Sequence, residues 1–243
     1  MRPWRPRGGG VRLLLLRHGE TDWNAAGRYQ GSTDTTLSER GQAQARAAAA
    51  ALSSETLDRI LCSPLRRAQE TAEAIAGSRP ACGEALSPLS IETEPRLAEI
   101  CFGDWEGLTH TDIARAYPEA LRAWRTDPLT CAPPGGETLA QVAARVRQLL
   151  EELRHGPAGQ SLLLVGHGGS LGVFLSLALG LPPERRWQLR LNHAALSELL
   201  LYSEGAILMR HNDTHHLTSL GCPSRAARHR PERARGTAHR AKA

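Results

Sequence analysis

Apolar residues in this chain gather into short solid runs, and between the runs they recur at helical spacing. Val11-Arg-Leu-Leu-Leu-Leu16 follows three glycines and meets a polar loop, the pattern of a strand covered on both faces. Ser38 then caps an alanine-rich helix running to about Leu52, with Glu39 in its first turn. Leu57–Cys62 reads as a second strand, and Pro64 stands where a first helical turn tolerates proline, opening a helix to about Ala76. Residues 77–95, rich in Gly, Pro and Ser, read as a loop with a short strand at Leu89–Glu92. Short helices follow at 110–116 and 118–125, then a Pro-Pro-Gly-Gly loop. Leu139, Val142, Val146, Leu149, Leu150 and Leu153 give Thr138–Leu153 one apolar face. The strand Ser161–Val165, a helix over Ser170–Leu179 and strands near 195–202 and 205–211 complete the chain, the last two paired through Glu204-Gly205. This order predicts an α/β fold, a three-layer sandwich whose central sheet is largely parallel and flanked by helices.

Charge divides the 243 residues differently. The formal net charge is +5, but residues 1–10 carry +3 and residues 221–243 carry +6, which leaves 11–220 at −4. The basicity belongs to the ends. We therefore expect a single domain over 11–220, a flexible basic extension over 1–10 and a disordered basic tail over 221–243. The acidic body weakens a nucleic-acid reading, and the tail lacks interleaved aromatics. The five cysteines have no paired spacing, and no secretory signal opens the chain, which points to a cytoplasmic protein with reduced thiols. The uncharged window Ser161–Leu181 is broken by Gly166-His167-Gly168-Gly169, so a buried strand followed by a helix explains it better than a membrane span.

Three strand exits carry the chemistry. Arg17-His18 follows the first strand, Ser63-Pro-Leu-Arg66 the second, and Gly166-His167-Gly-Gly a later one. Ligands of α/β sheets collect at the carboxyl ends of strands, and arginine grips phosphate oxygens with a planar fork of donors. A lone histidine in such a turn is commonly structural, but two histidines and two arginines at three turns describe a phosphoryl pocket. Other candidates are weaker. Glu20 reads as structural. His211, His215 and His216 have no cysteine or carboxylate at ligand spacing, so no metal site is expected. Gly8-Gly9-Gly10 lacks the lysine of a phosphate loop.

Five blocks then resemble the histidine phosphatase, or phosphoglycerate-mutase-like, superfamily in the correct order: Leu16-Arg-His-Gly-Glu-Thr21, Gly31-Ser-Thr-Asp-Thr-Thr-Leu-Ser-Glu-Arg-Gly41, Ser63-Pro-Leu-Arg66-Arg-Ala-Gln-Glu-Thr-Ala72, Leu97-Ala-Glu99-Ile-Cys-Phe-Gly-Asp-Trp-Glu-Gly107 and Val165-Gly-His167-Gly-Gly169. Within it the chain is most similar to small bacterial broad-specificity and α-ribazole phosphatases. The resemblance implies that His18 is a nucleophile that becomes phosphorylated, and that Arg17, Asn24, Arg66 and His167 hold the phosphoryl oxygens. It makes Glu99 the acid that protonates the leaving alkoxide and then the base for water. It implies neither metal nor cofactor. Glu137 is a further family-like position, explained equally by a helix start.

The expected activity is hydrolysis of a small-metabolite phosphate monoester, with α-ribazole 5′-phosphate or a broad range as substrate. A bisphosphoglycerate-dependent mutase is the alternative. Mutases carry an extra lysine and an arginine pair for the second phosphate, where this chain has His110 and the single arginine of Trp124-Arg125-Thr126. A non-catalytic phosphate-binding or nucleic-acid-docking protein is the remote third reading. Phe102, Trp105, Tyr117 and Trp124 suit either a ring-bearing leaving group or plain core packing.

Overall fold

The computed structural model describes residues 9–78 and 89–221. The solid apolar runs become strands of one six-stranded sheet: β1 (Val11–Arg17), β2 (Arg59–Cys62), β3 (Ile91–Thr93), β4 (Ser161–Gly166), β5 (Leu196–Tyr202) and β6 (Gly205–Asp213), in the order β3-β2-β4-β1-β5-β6. Four neighbours, β3, β2, β4 and β1, are parallel; β5 runs antiparallel to β1, and β6 antiparallel to β5. Alternation along β1 shows why its run is apolar throughout. Leu13 and Leu15 face one core and Leu14 and Leu16 the other, each fully buried.

Helices close both faces. On one side lie α2 (Glu39–Ala51) and α3 (Arg66–Gly77), whose Ala48, Ala49, Ala68, Ala72 and Ile75 meet Leu14, Leu16, Ile60 and Val165. On the other lie α6 (Leu139–Arg154) and α7 (Gly168–Ala178), with Val142, Val146, Leu150, Leu171 and Phe174 against Leu13, Leu15, Leu162 and Leu164. The caps act as expected: Ser38 accepts from Gly41 N–H, and Thr138 forms a reciprocal box with Gln141. Truncating a buried leucine such as Leu150 to alanine would cost about 2–5 kcal/mol.

A third, smaller core lies away from the sheet. Residues 103–126 form a turn at Gly103–Trp105 and the helices α4 (His110–Ala116) and α5 (Pro118–Thr126), which enclose Trp105, Ile113 and Leu121. The pattern missed the one-turn α1 (Asp22–Ala25) and the 3-10 segments Pro95–Leu97, Pro183–Gln188 and His215–Leu220. Pro64 precedes its helix, which starts at Arg66. Residues 1–8, 79–88 and 222–243 lie outside the described set, so the expected disordered tail, most of the basic extension and much of the expected loop at 77–95 are not addressed by it.

Candidate active site

Strand register builds the site. Arg17 lies level with Gly166, and Cys62 with Val165, so the parallel strands β1, β2 and β4 end on one line. The ladder runs one step further, as His18 N–H donates to Gly166 O at 2.9 Å and Ser63 N–H to Val165 O at 3.0 Å. His18, Ser63 and His167 thus follow the strands side by side. The rings of His18 and His167 are 5.0 Å apart, and His167 Nε2 is 2.7 Å from Ser63 Oγ.

His18 is buried, and its Nδ1 lies 2.6 Å from Gly19 O. A carbonyl only accepts, so the proton sits on Nδ1 and the lone pair on Nε2. Burial first, then the charges of His167, Arg17 and Arg67, hold the His18 pKa well below the usual histidine value. The ring is a neutral imidazole with Nε2 available.

Around it stand cations that, among the described residues, have no carboxylate partner. Arg17 donates from Nη1 to Leu191 O at 2.8 Å, while its Nε is buried without a partner. Burial lowers the Arg17 guanidinium to about 10, opposed by Glu99, so it stays charged at neutral pH. Arg67 donates to Thr33 O and Gly31 O at 2.9 and 2.8 Å and also leaves a buried Nε unpaired. Its carbonyl partners are held from behind by Glu106, which accepts from Ser32 N–H, Thr33 N–H and Phe102 N–H.

Arg66 does not join this cluster, which corrects the sequence expectation. It pairs with Glu70 at 3.1 Å, and its side chain is 65% exposed. Helix phase decides between the two: the buried face of α3 is Arg67, Ala68, Thr71, Ala72 and Ile75, and Arg66 lies a 100° step off it. Asn24 sits on α1, its Oδ1 accepting from Thr21 N–H and Thr21 Oγ at 3.1 Å each, which leaves the amide N–H donors outside the capping box.

Glu99 docks on the N-terminus of α7. Its carboxylate accepts from Gly169 N–H, Ser170 N–H and Ile100 N–H at 2.9–3.1 Å. A Cβ at Gly169 would collide with Glu99 Oε1, so this approach requires glycine there. The backbone behind Glu99 is gripped by Arg145 of α6, which donates to Arg96 O, Ala98 O and Glu99 O. Arg145 is paired with Glu137 at 3.1 Å, and Glu137 accepts from Cys101 N–H.

His193 was not anticipated. Its ring lies 5.8 Å from that of His18, its Nε2 is buried without a partner, and burial and Arg17 depress its pKa. The available signal was strand direction, since an antiparallel β5 begins at the edge where β1 ends. Of the doubtful aromatics, Trp105 is fully buried, and Phe102, Tyr117 and Trp124 pack against it. His211 and His216 are engaged with Ser197 Oγ and Ala194 O. Among the described residues no group of His, Cys, Asp and Glu could hold a metal ion, and no helix is long and apolar enough to cross a membrane.

The chain is similar to known proteins over most of its length. The profile of the histidine phosphatase superfamily (branch 1) matches residues 13–214. Phosphoserine phosphatase 1 of Hydrogenobacter thermophilus is 36% identical over 207 residues, covering 85% of this chain and 94% of that protein. Glucosyl-3-phosphoglycerate phosphatase of Mycobacterium tuberculosis is 42% identical over 179 residues, covering 70% and 76%. The crystal structure of the α-ribazole phosphatase of Shigella flexneri superposes with a TM-score of 0.72 at 33% identity, covering 83% of this chain and 96% of that one. The chain therefore belongs to the histidine phosphatase superfamily and is a phosphoric monoester hydrolase.

Proposed function

We propose that this phosphatase works without a metal, through a phosphohistidine on His18. The observation that carries the reading is the neutral His18 ring, its Nδ1 proton fixed on Gly19 O, inside a ring of arginines and histidines with unpaired buried nitrogens. In the first step His18 Nε2 attacks phosphorus, and the bond to the ester oxygen breaks. Arg17 and Arg67 neutralise the equatorial oxygens, with His167 and an Asn24 N–H as neutral donors. Glu99 gives its proton to the leaving oxygen. In the second step Glu99 takes a proton from water as that water attacks phosphorus, the N–P bond breaks, and His18 and phosphate are released. Three free cysteines among the described residues, Cys62, Cys101 and Cys131, suit work in the cytoplasm.

Rapid quenching with a labelled ester should trap acid-labile, alkali-stable label on His18, and His18→Asn should abolish it. Activity lost in EDTA and restored by a divalent ion, or turnover with no enzyme-bound label, would overturn this route.

A further inference from the structure

His193 stands beside the nucleophile with a nitrogen to spare. Its ring centre lies 5.8 Å from that of His18, at an interplanar angle of 46°. Its Nε2 is buried, and among the described residues nothing bonds it. A buried polar nitrogen without a partner is rare and costly, and it marks a place that water or a ligand completes. Burial and the charge of Arg17 keep the ring neutral at neutral pH, so it has one N–H to give.

The backbone on both sides of His193 is anchored to the end of β1. Ala194 has a φ of +53°, a left-handed conformation that alanine adopts only under constraint. Its N–H donates to Arg17 O at 3.0 Å and to His18 O at 3.2 Å, and its carbonyl accepts from His216 Nε2 at 2.9 Å. Before His193, Asn192 N–H donates to Asn212 Oδ1 at 2.7 Å, and Asn212 is itself left-handed at +53°. Arg17 Nη1 closes the loop onto Leu191 O. Filling space would need no such anchorage, and an apolar side chain would do it without stranding a nitrogen.

We infer that His193 is a further catalytic residue, whose Nε2–H donates to an oxygen of the phosphoryl group while that group is carried and transferred by His18. The inference rests on the phosphohistidine reading above. A phosphoryl group presents three strong acceptor oxygens, which supply the partner that the protein withholds from this nitrogen. The two rings then hold opposite tautomers. His18 keeps its proton on Nδ1, against Gly19 O, and attacks with Nε2, whereas His193 keeps its proton on Nε2 and donates it.

Orthovanadate, which adopts the five-coordinate shape of the transferring phosphoryl, is the probe, with the full chain throughout. His193→Gln carries an N–H to about the place of Nε2, His193→Asn stops short of it, and His193→Leu has none. The Asn and Leu substitutions should lower vanadate affinity, and kcat on p-nitrophenyl phosphate, by roughly 10–100-fold, the worth of one neutral donor in a preorganised site. His193→Gln should recover most of both. In the unmutated chain labelled with 15N-histidine, orthovanadate should shift the His193 Nε2 resonance and leave that nitrogen protonated. Equal losses in all three variants, vanadate affinity unchanged in His193→Leu, or an Nε2 resonance that vanadate does not move would overturn this inference alone. An unmutated chain that neither binds vanadate nor takes label on His18 would overturn the phosphohistidine reading itself.

Discussion

Arg66 and Arg67 are adjacent in sequence and opposite in environment, and the difference can be measured. Arg67 is buried beside His18, whereas Arg66 is solvated and tied to Glu70. Arg67→Ala should lower kcat by roughly 10²–10³-fold, the usual loss when one preorganised electrostatic donor is removed. Arg66→Ala should stay within about threefold, since an exposed pair is worth under about 1 kcal/mol. Steady-state kinetics on p-nitrophenyl phosphate separates the two, and equal losses would refute the assignment. The buried rings carry a second prediction. His18, His167 and His193 all have pKa values well below 6.5 in the folded chain. Between that folded value and 6.5 the unfolded chain binds more protons, so folding stability is complete above pH 6.5 and declines as pH falls below it. Urea midpoints should drop between pH 7.5 and 5.5, and less steeply in His193→Asn. Inorganic phosphate should raise the midpoint by completing the cationic ring. A flat profile would mean that these rings titrate alike in both states.

Helices and strands carried much of the legible information, and their phases carried the rest. The runs at Val11–Leu16 and Ser161–Val165 could be read as strands because both faces of the sheet are covered, and their exits located His18 and His167. The Arg66 error arose because the motif names two arginines, and only the rotation of α3 about its axis chooses between them. His193 stayed hidden because a hairpin read from sequence does not say which neighbour β5 joins or in which direction. Arg145 was hidden for another reason. It lies on a helix whose leucines dominate the pattern, yet it holds three carbonyls around Glu99. Arg145→Met should leave those acceptors short of donors, at about 1–3 kcal/mol of stability in urea titration. It should also loosen the acid. Pre-steady-state bursts should slow by roughly 10-fold or more for alkyl phosphates, whose leaving oxygen needs a proton, and far less for p-nitrophenyl phosphate. Glu99→Gln should show the same selectivity, more strongly. A uniform loss across both ester types would make Arg145 a purely structural residue.

Across the whole molecule, charge and chemistry are separated. Residues 1–10 and 221–243 hold the positive excess, and every site residue named above lies between them. Cutting the chain to 11–220 changes its formal charge from +5 to −4. The shortened protein should keep its kcat on a small ester while losing retention on a cation exchanger. A large fall in kcat with the fold intact by circular dichroism would show that an end reaches the site. Within the stretch between β3 and α6, the segment 104–134 is set apart in another way. It has its own small core, and its base is clipped shut by Asp104 N–H to Pro134 O and Glu137 N–H to Cys101 O, both 2.9 Å, beside Gly103 with a φ of +52°. Its principal tie elsewhere is to the loop at residues 28–33, through Tyr29 and Thr109. A segment that departs and returns at one closed point can be lengthened, shortened or replaced beyond Gly107, with Glu106 keeping its hold on Ser32 and Thr33, without shifting the strand ends that hold His18 and His167. Descendants of such a chain could therefore change diet while inheriting their chemistry untouched.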